Sequence, residues 1–149
     1  MNNIILSAPL QTAKPVIVRT QDTFIIQAAL EIAEKHATWA AKPQNARRIE
    51  KAKDLVLSGH VQRTARTGVF TVHSQSVDAT YTVHVAERIC DCPDHVRECK
   101  HWIAVLIALR AVELELEYRD WSAAFEKYWI ARGVVPEAEA LQVFTRGAK

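Results

Sequence analysis

The sequence predicts an α+β fold: helices at the N-terminal side, a β-hairpin of two or three antiparallel strands, a helix after it, and an amphipathic helix towards the C-terminus. Three observations lead there. Apolar residues recur at helical spacing between 22 and 59 and again after 100. Between 61 and 85 the period changes to two, in a stretch rich in Val, Thr, Phe and Tyr. All three cysteines of the chain fall within "CDCPDHVRECKHW", residues 90–102, where the hairpin pattern gives way to the helical one.

Each element follows from local chemistry. Residues 1–20 carry Pro9 and Pro15 with little periodicity and read as an arm, with a short strand at Val16–Val18. A helix opens with Asp22 or Thr23 as N-cap, places Ile25, Ala28, Ala29, Ile32 and Ala33 on one stripe, and ends near Ala41. Pro43 disfavours helix at Lys42 and suits the first turn of a second helix. That helix buries Ile49, Ala52, Leu55 and Val56 and stops at Gly59. Phe70 and Val72 alternate with Thr71 and His73, and Tyr81, Val83 and Val85 with Thr82 and His84. This is a hairpin turning at Ser76–Ala79, with a further strand at Val61–Thr64. "HWIAVLIALRAV" is apolar nearly all round, so a buried helix. "ELELEYRD" fits a helix end or a short strand. Asp120 then caps a last helix, which Gly133 stops and which sets Trp121, Phe125, Tyr128 and Trp129 on one stripe. A start signal at Pro136 suggests one more short helix.

Composition bounds the function. A chain of 149 residues with 49% apolar and 24% charged residues buries an ordinary core without disulfides. The opening stretch has no basic leader and only a short apolar run, and no stretch is long and apolar enough to span a bilayer. The expectation is a cytoplasmic protein (nuclear if eukaryotic), with no membrane and no small-molecule substrate as partner. Thiols stay reduced there, and three cysteines fit a disulfide framework badly.

Thiolates and imidazole are instead the donors Zn²⁺ prefers in tetrahedral geometry. Cys90 and Cys92, two apart at a strand end, face one side, and Pro93 ends the ladder just beyond them. Cys99 and His101 converge only if a helix starts at them, Cys99 just before it and His101 in its first turn. Four protein donors leave no open position, so the expected cofactor is one structural Zn²⁺. His95, between the two pairs, is an alternative fourth ligand.

The spacing C-x-C-x6-C-x-H, after a hairpin and before an apolar helix, resembles the SWIM-type zinc finger. "CDCPD" is similar to its first knuckle, "CKHWIAVLIAL" to its second half, and "AKDLVLSGHV" to its lead-in. The resemblance spans about residues 52–109. It implies zinc on Cys90, Cys92, Cys99 and His101, and a ββα module that binds DNA or proteins without catalysing a reaction. It also implies membership of a larger complex, here as a stand-alone chain. The matching organisation is an arm and helices over 1–51, the finger over 52–112 and a helical tail over 113–149.

Charge placement then weighs nucleic acid against protein. The net charge of +2 says little by itself. From Lys42 to Arg66, seven basic residues stand against two acids, a local +5. Arg47, Arg48, Lys51, Lys53, Arg63 and Arg66 are the candidate nucleic-acid contacts; a merely solvated face is the competing reading. The zinc loop has no positive excess, because three thiolates outweigh Zn²⁺ by one. Trp121, Phe125 and Trp129 either dock on the domain's own core or form a partner surface. Trp102 reads as core. Enzyme readings fail: there is no phosphate-loop motif, the four glycines are too few for one, and the deaminase signature is absent. The expected function is a non-catalytic zinc module in a DNA-transaction complex, touching DNA or other nucleic acid; a pure protein–protein adaptor is the alternative.

Overall fold

The computed structural model describes residues 16–18 and 20–131, apart from the side chains at 16, 129 and 130. Most of the expected arm, the Gly133 stop and the helix after Pro136 lie outside those residues, as does the side chain of Trp129. The architecture is α+β. Strand β1 (Val16–Ile17) leads into α1 (Asp22–Lys35), the four-residue α2 (Ala37–Ala40) and α3 (Pro43–Leu57). A run of strands follows, β2 (Val61–Arg63), β3 (Val69–His73), β4 (Thr80–His84) and β5 (Ile89–Cys90), and then α4 (Lys100–Ala131).

The sheet has five antiparallel strands in the order β1-β2-β3-β4-β5, more than the two or three the alternation suggests. The edge strands are two residues each: β1, the short strand expected at Val16–Val18, pairs Val16 with Arg63, and β5, which no period announces, pairs Cys90 with Val83. Phe70 lies opposite Val83 and Val72 opposite Tyr81, so one face of the hairpin is apolar. That face packs on α4, and α1 and α3 pack on α4 as well. α4 is therefore the central element. Its Ile103, Val105, Ile107 and Ala108 are buried together with Ile25 of α1, Ile49 and Leu55 of α3, and Val61, Phe70 and Val83 of the sheet.

Helix boundaries follow the signals in part. Pro43 is the first residue of α3. Gly59 (φ 72°) ends it: its N–H donates to Val56 O at 3.0 Å, and the N–H of His60 donates to Leu55 O at 3.0 Å. This is a Schellman cap that needs a left-handed residue. Gly59→Ala would meet Ile17 only at ordinary contact distance, 3.7 Å from its Cγ2. The expected cost is therefore the conformational one, about 1 kcal/mol, read as a drop of a few degrees in Tm. The N-cap of α1 is Gln21, not Asp22 or Thr23, because Phe24 N–H already bonds the Gln21 carbonyl; Asp22 stands in the first turn. That helix stops at Lys35, and the segment to Ala40 is the separate α2.

The stretch from Lys100 to Ala131 is one helix of 32 residues, about 48 Å long at the usual rise. "ELELEYRD" neither ends it nor forms a strand, and Asp120 is an interior residue, not a cap. Glu and Leu are good helix formers, so nothing there breaks the helix. Ion pairs run along it: Arg110 reaches Glu113 at 3.2 Å and Glu117 at 2.9 Å, and Arg119 reaches Glu115 at 2.6 Å. The same stretch is tied back to the start of the fold. Arg110 Nε donates to Glu31 at 2.7 Å, Thr20 Oγ1 donates to Glu115 at 2.7 Å, and the Phe24 and Tyr118 rings lie 5.8 Å apart. The Arg110 guanidinium, above all, holds the Glu31 carboxyl below the usual range.

Candidate metal centre

Strand, loop and helix start close on one point. β5 ends at Cys90, which pairs with the inward-facing Val83 and so turns towards α4. Cys92, two residues on, is buried to the same side. Asp91 between them faces the other way and holds the edge of β4, its carboxylate accepting the Thr82 N–H at 2.8 Å. Cys99 immediately precedes α4, and His101 is in that helix's first turn.

The Cys99 side chain acts as a helix cap. Its carbonyl accepts the Ile103 N–H at 3.1 Å, and its sulfur accepts the Trp102 N–H at 3.4 Å. A Ser or Asp oxygen at an N-cap accepts the same bond. The sequence placed the residue correctly but offers no capping signal, because cysteine is not a capping residue by propensity.

The four donor atoms of Cys90, Cys92, Cys99 and His101 all lie within 4.8 Å of one another. A tetrahedral zinc shell with Zn–S near 2.3 Å needs sulfurs about 3.8 Å apart. Cys92, Cys99 and His101 are 1%, 0% and 2% exposed. His101 makes the strongest case for a metal: both of its ring nitrogens are buried without a hydrogen-bond partner. A buried imidazole with nothing to bond is costly, and a cation among the three sulfurs removes that cost. The Tyr81 ring packs against it, with centroids 4.7 Å apart. The residues thus fit one metal ion, and three thiols with one imidazole suit Zn²⁺ among the common metals.

Without a cation the sulfurs compete for charge. Cys99 is driven towards thiolate first by the neighbouring Cys90 thiol, with further help from the Trp102 N–H. Cys90 is pushed up, chiefly by Cys99, and Cys92 is pushed up chiefly by burial. A bound divalent cation inverts this order, because a coordinating thiol is deprotonated outright. The metal would therefore supply the charge that lets all three ionise together.

His95 stands apart. It is exposed, has a left-handed backbone (φ 49°), and is not in the cluster.

The other candidate residues are spread over the surface. On α3, Arg47 and Lys51 are exposed, whereas Arg48 donates to Asn45 at 3.0 Å and Lys53 pairs with Glu50 at 2.6 Å. Arg63 and Arg66 are exposed at the β2–β3 connection. On the far part of α4, Trp121 and Phe125 are 61% and 42% exposed and stack on each other at 5.1 Å. Trp102 packs against the core, as expected, but at its edge. It is half-buried, donates from Nε1 to Val85 O at 3.3 Å, and carries the Arg88 guanidinium 5.6 Å from its ring centre. No apolar alternation marks Arg88, which sits in the four-residue turn between β4 and β5. Among the described residues, no helix is long and apolar enough to cross a membrane. In comparisons with known proteins, no family model, no curated protein and no solved structure matches the chain.

Proposed function

We propose that this chain is a non-catalytic module built on one structural zinc, of the SWIM-finger kind, serving as a nucleic-acid-associated subunit or adaptor in a DNA-transaction complex. The observation that carries the proposal is the closed donor set. Cys90, Cys92, Cys99 and His101 offer four donors within 4.8 Å of one another, enough to complete a tetrahedral shell with no position left for water or substrate. With its thiols committed to the metal, the chain keeps no cysteine nucleophile. A thiolate site of this kind persists in a reducing compartment, the cytosol or nucleus.

The nucleic-acid partner is supported by charge. Arg47, Lys51, Arg63 and Arg66 are exposed and make no ion pair among the described residues. The test is a shift assay of zinc-loaded protein with labelled DNA and RNA across a salt series. Phosphate contacts predict binding that weakens steeply as salt rises. Absence of any binding at low salt would overturn the nucleic-acid part and leave a protein-only adaptor. One observation favours that second reading: the exposed Trp121–Phe125 stack, whose replacement by alanine would then abolish capture of a partner protein.

A further inference from the structure

Trp102, Leu106 and Leu109 follow one another on successive turns of α4, all half-buried while the helix is otherwise sealed around them. Two cavities lie along this stripe and share Val85 as a wall. The first, about 540 Å³, is bounded by Trp102 and Leu106 of α4, by Lys35, His36 and Trp39 where α1 passes into α2, and by Arg88. The second, about 440 Å³, is bounded by Leu109 and by the β2–β3 connection with Arg63 and Arg66. Together they make a groove with an apolar floor, two indoles and a basic rim. Its walls hold four permanent positive charges, Lys35, Arg63, Arg66 and Arg88, and one carboxylate, Glu98. None of the four cations is in an ion pair among the described residues. Arg88 is instead held over the face of Trp102, in a left-handed backbone (φ 55°).

We propose that this groove is a binding track for single-stranded nucleic acid. Bases stack on Trp39 and, with Arg88 turned from the ring to a phosphate, on Trp102, and phosphates lie along Lys35, Arg88, Arg66 and Arg63. The proposal rests on the nucleic-acid reading above and moves its site: the contact is the groove beside the metal-bearing helix start, not the outer face of α3. The chemistry favours this occupant because aromatic faces with interleaved cations suit unstacked bases joined by phosphates. A duplex keeps its bases stacked inside and offers nothing to the indoles. An acidic peptide matches the charges but leaves the two indoles without a flat partner. On α3, by contrast, Arg48 and Lys53 are already engaged with Asn45 and Glu50, and no aromatic ring accompanies them.

The test measures anisotropy of fluorescein-labelled dT20 and rU20, a duplex of equal length and a poly-glutamate peptide, with zinc-loaded full chain over a salt series. Both single strands should bind more tightly than duplex and peptide. Lys35→Glu with Arg66→Glu takes one cation from each cavity and lies away from the metal. It should weaken single-strand binding at least tenfold and lower the salt slope by about 1.4, the value for two lost phosphate contacts on a single strand. Trp39→Leu keeps the apolar wall and should cost on the order of tenfold with the slope unchanged. Zinc content and circular dichroism of each variant should match wild type; if Trp39→Leu disturbs the fold, the charge pair decides alone. Binding that survives both variants but is lost on Arg47→Glu with Arg48→Glu would overturn the groove while leaving the nucleic-acid reading intact. No binding of any oligonucleotide would overturn both. Poly-glutamate binding as tightly as dT20, with the same sensitivity to the variants, would overturn the occupant.

Discussion

His101→Ala will cost the protein its metal. Removing one of four donors should exceed the roughly 10–100-fold loss that even outer-shell partners cause, while His95→Ala, at an exposed loop position outside the cluster, should leave affinity unchanged. Metal analysis of wild type should give about one Zn²⁺ per chain, as for one four-donor site. Structural zinc contributes on the order of 10 kcal/mol in isolated fingers. Here the loss falls on the part it holds: β5, the loop after it and the first turn of α4. The core formed by Ile25, Ile49, Leu55 and Ile107 contains none of the ligands. Chelation should therefore release Trp102 into solvent, seen as a red shift of its fluorescence, yet retain most of the helical circular dichroism. Complete loss of helix on chelation would show that zinc holds the whole fold. Equal loss of metal in His95→Ala would move the fourth ligand.

Ile107→Ala should be the most damaging substitution away from the metal. Ile107 is fully buried in the third turn of α4, in the core shared with the sheet and the helices α1 and α3. Large-to-small changes at such sites cost about 2–5 kcal/mol, because the surrounding layers close only partly on the cavity. With a urea dependence near 1.5 kcal/mol per molar, the midpoint should fall by about 2 M. The variant should still bind about one zinc, since Ile107 supplies none of the four donors. A shift under about 0.5 kcal/mol, within the range of surface substitutions, would mean that α4 is not the central element.

What the sequence could and could not disclose follows from the range of each interaction. Pro43 and Gly59 act on their own backbone, so the bounds of α3 can be read from composition. Phe70, Val72, Tyr81 and Val83 carry the period of the hairpin face. Four donors within twelve residues are a local pattern, and their convergence follows from strand and helix geometry. The single helix from Lys100 to Ala131 was hidden because "ELELEYRD" alternates like a strand and Asp120 looks like a cap. What favours helix there is Arg110 and Arg119 reaching Glu117 and Glu115, and contacts to Thr20 and Phe24 nearly a hundred residues away in the chain. β5 has two residues, too few for any period. The groove was hidden for the same reason: Lys35, Trp39, Arg66 and Arg88 meet α4 only in three dimensions.

The cap at Cys99 joins two events that are separate in most proteins. Starting a helix is its slow and unfavourable step, since several torsions are fixed before the first hydrogen bond forms, and the nucleation parameter is only about 10⁻³. Here two of the four residues that would hold an ion belong to that helix start: Cys99 accepts the Trp102 N–H, and His101 stands between them. Ligation fixes the torsions that nucleation must fix. It also places a cluster with an excess of negative charge at the positive end of the helix. A bound ion would thus act as a seed for the longest helix among the described residues. It would fix where that helix begins and which way it points, so that a domain assembled around α4 would take its orientation from four donor atoms at one end.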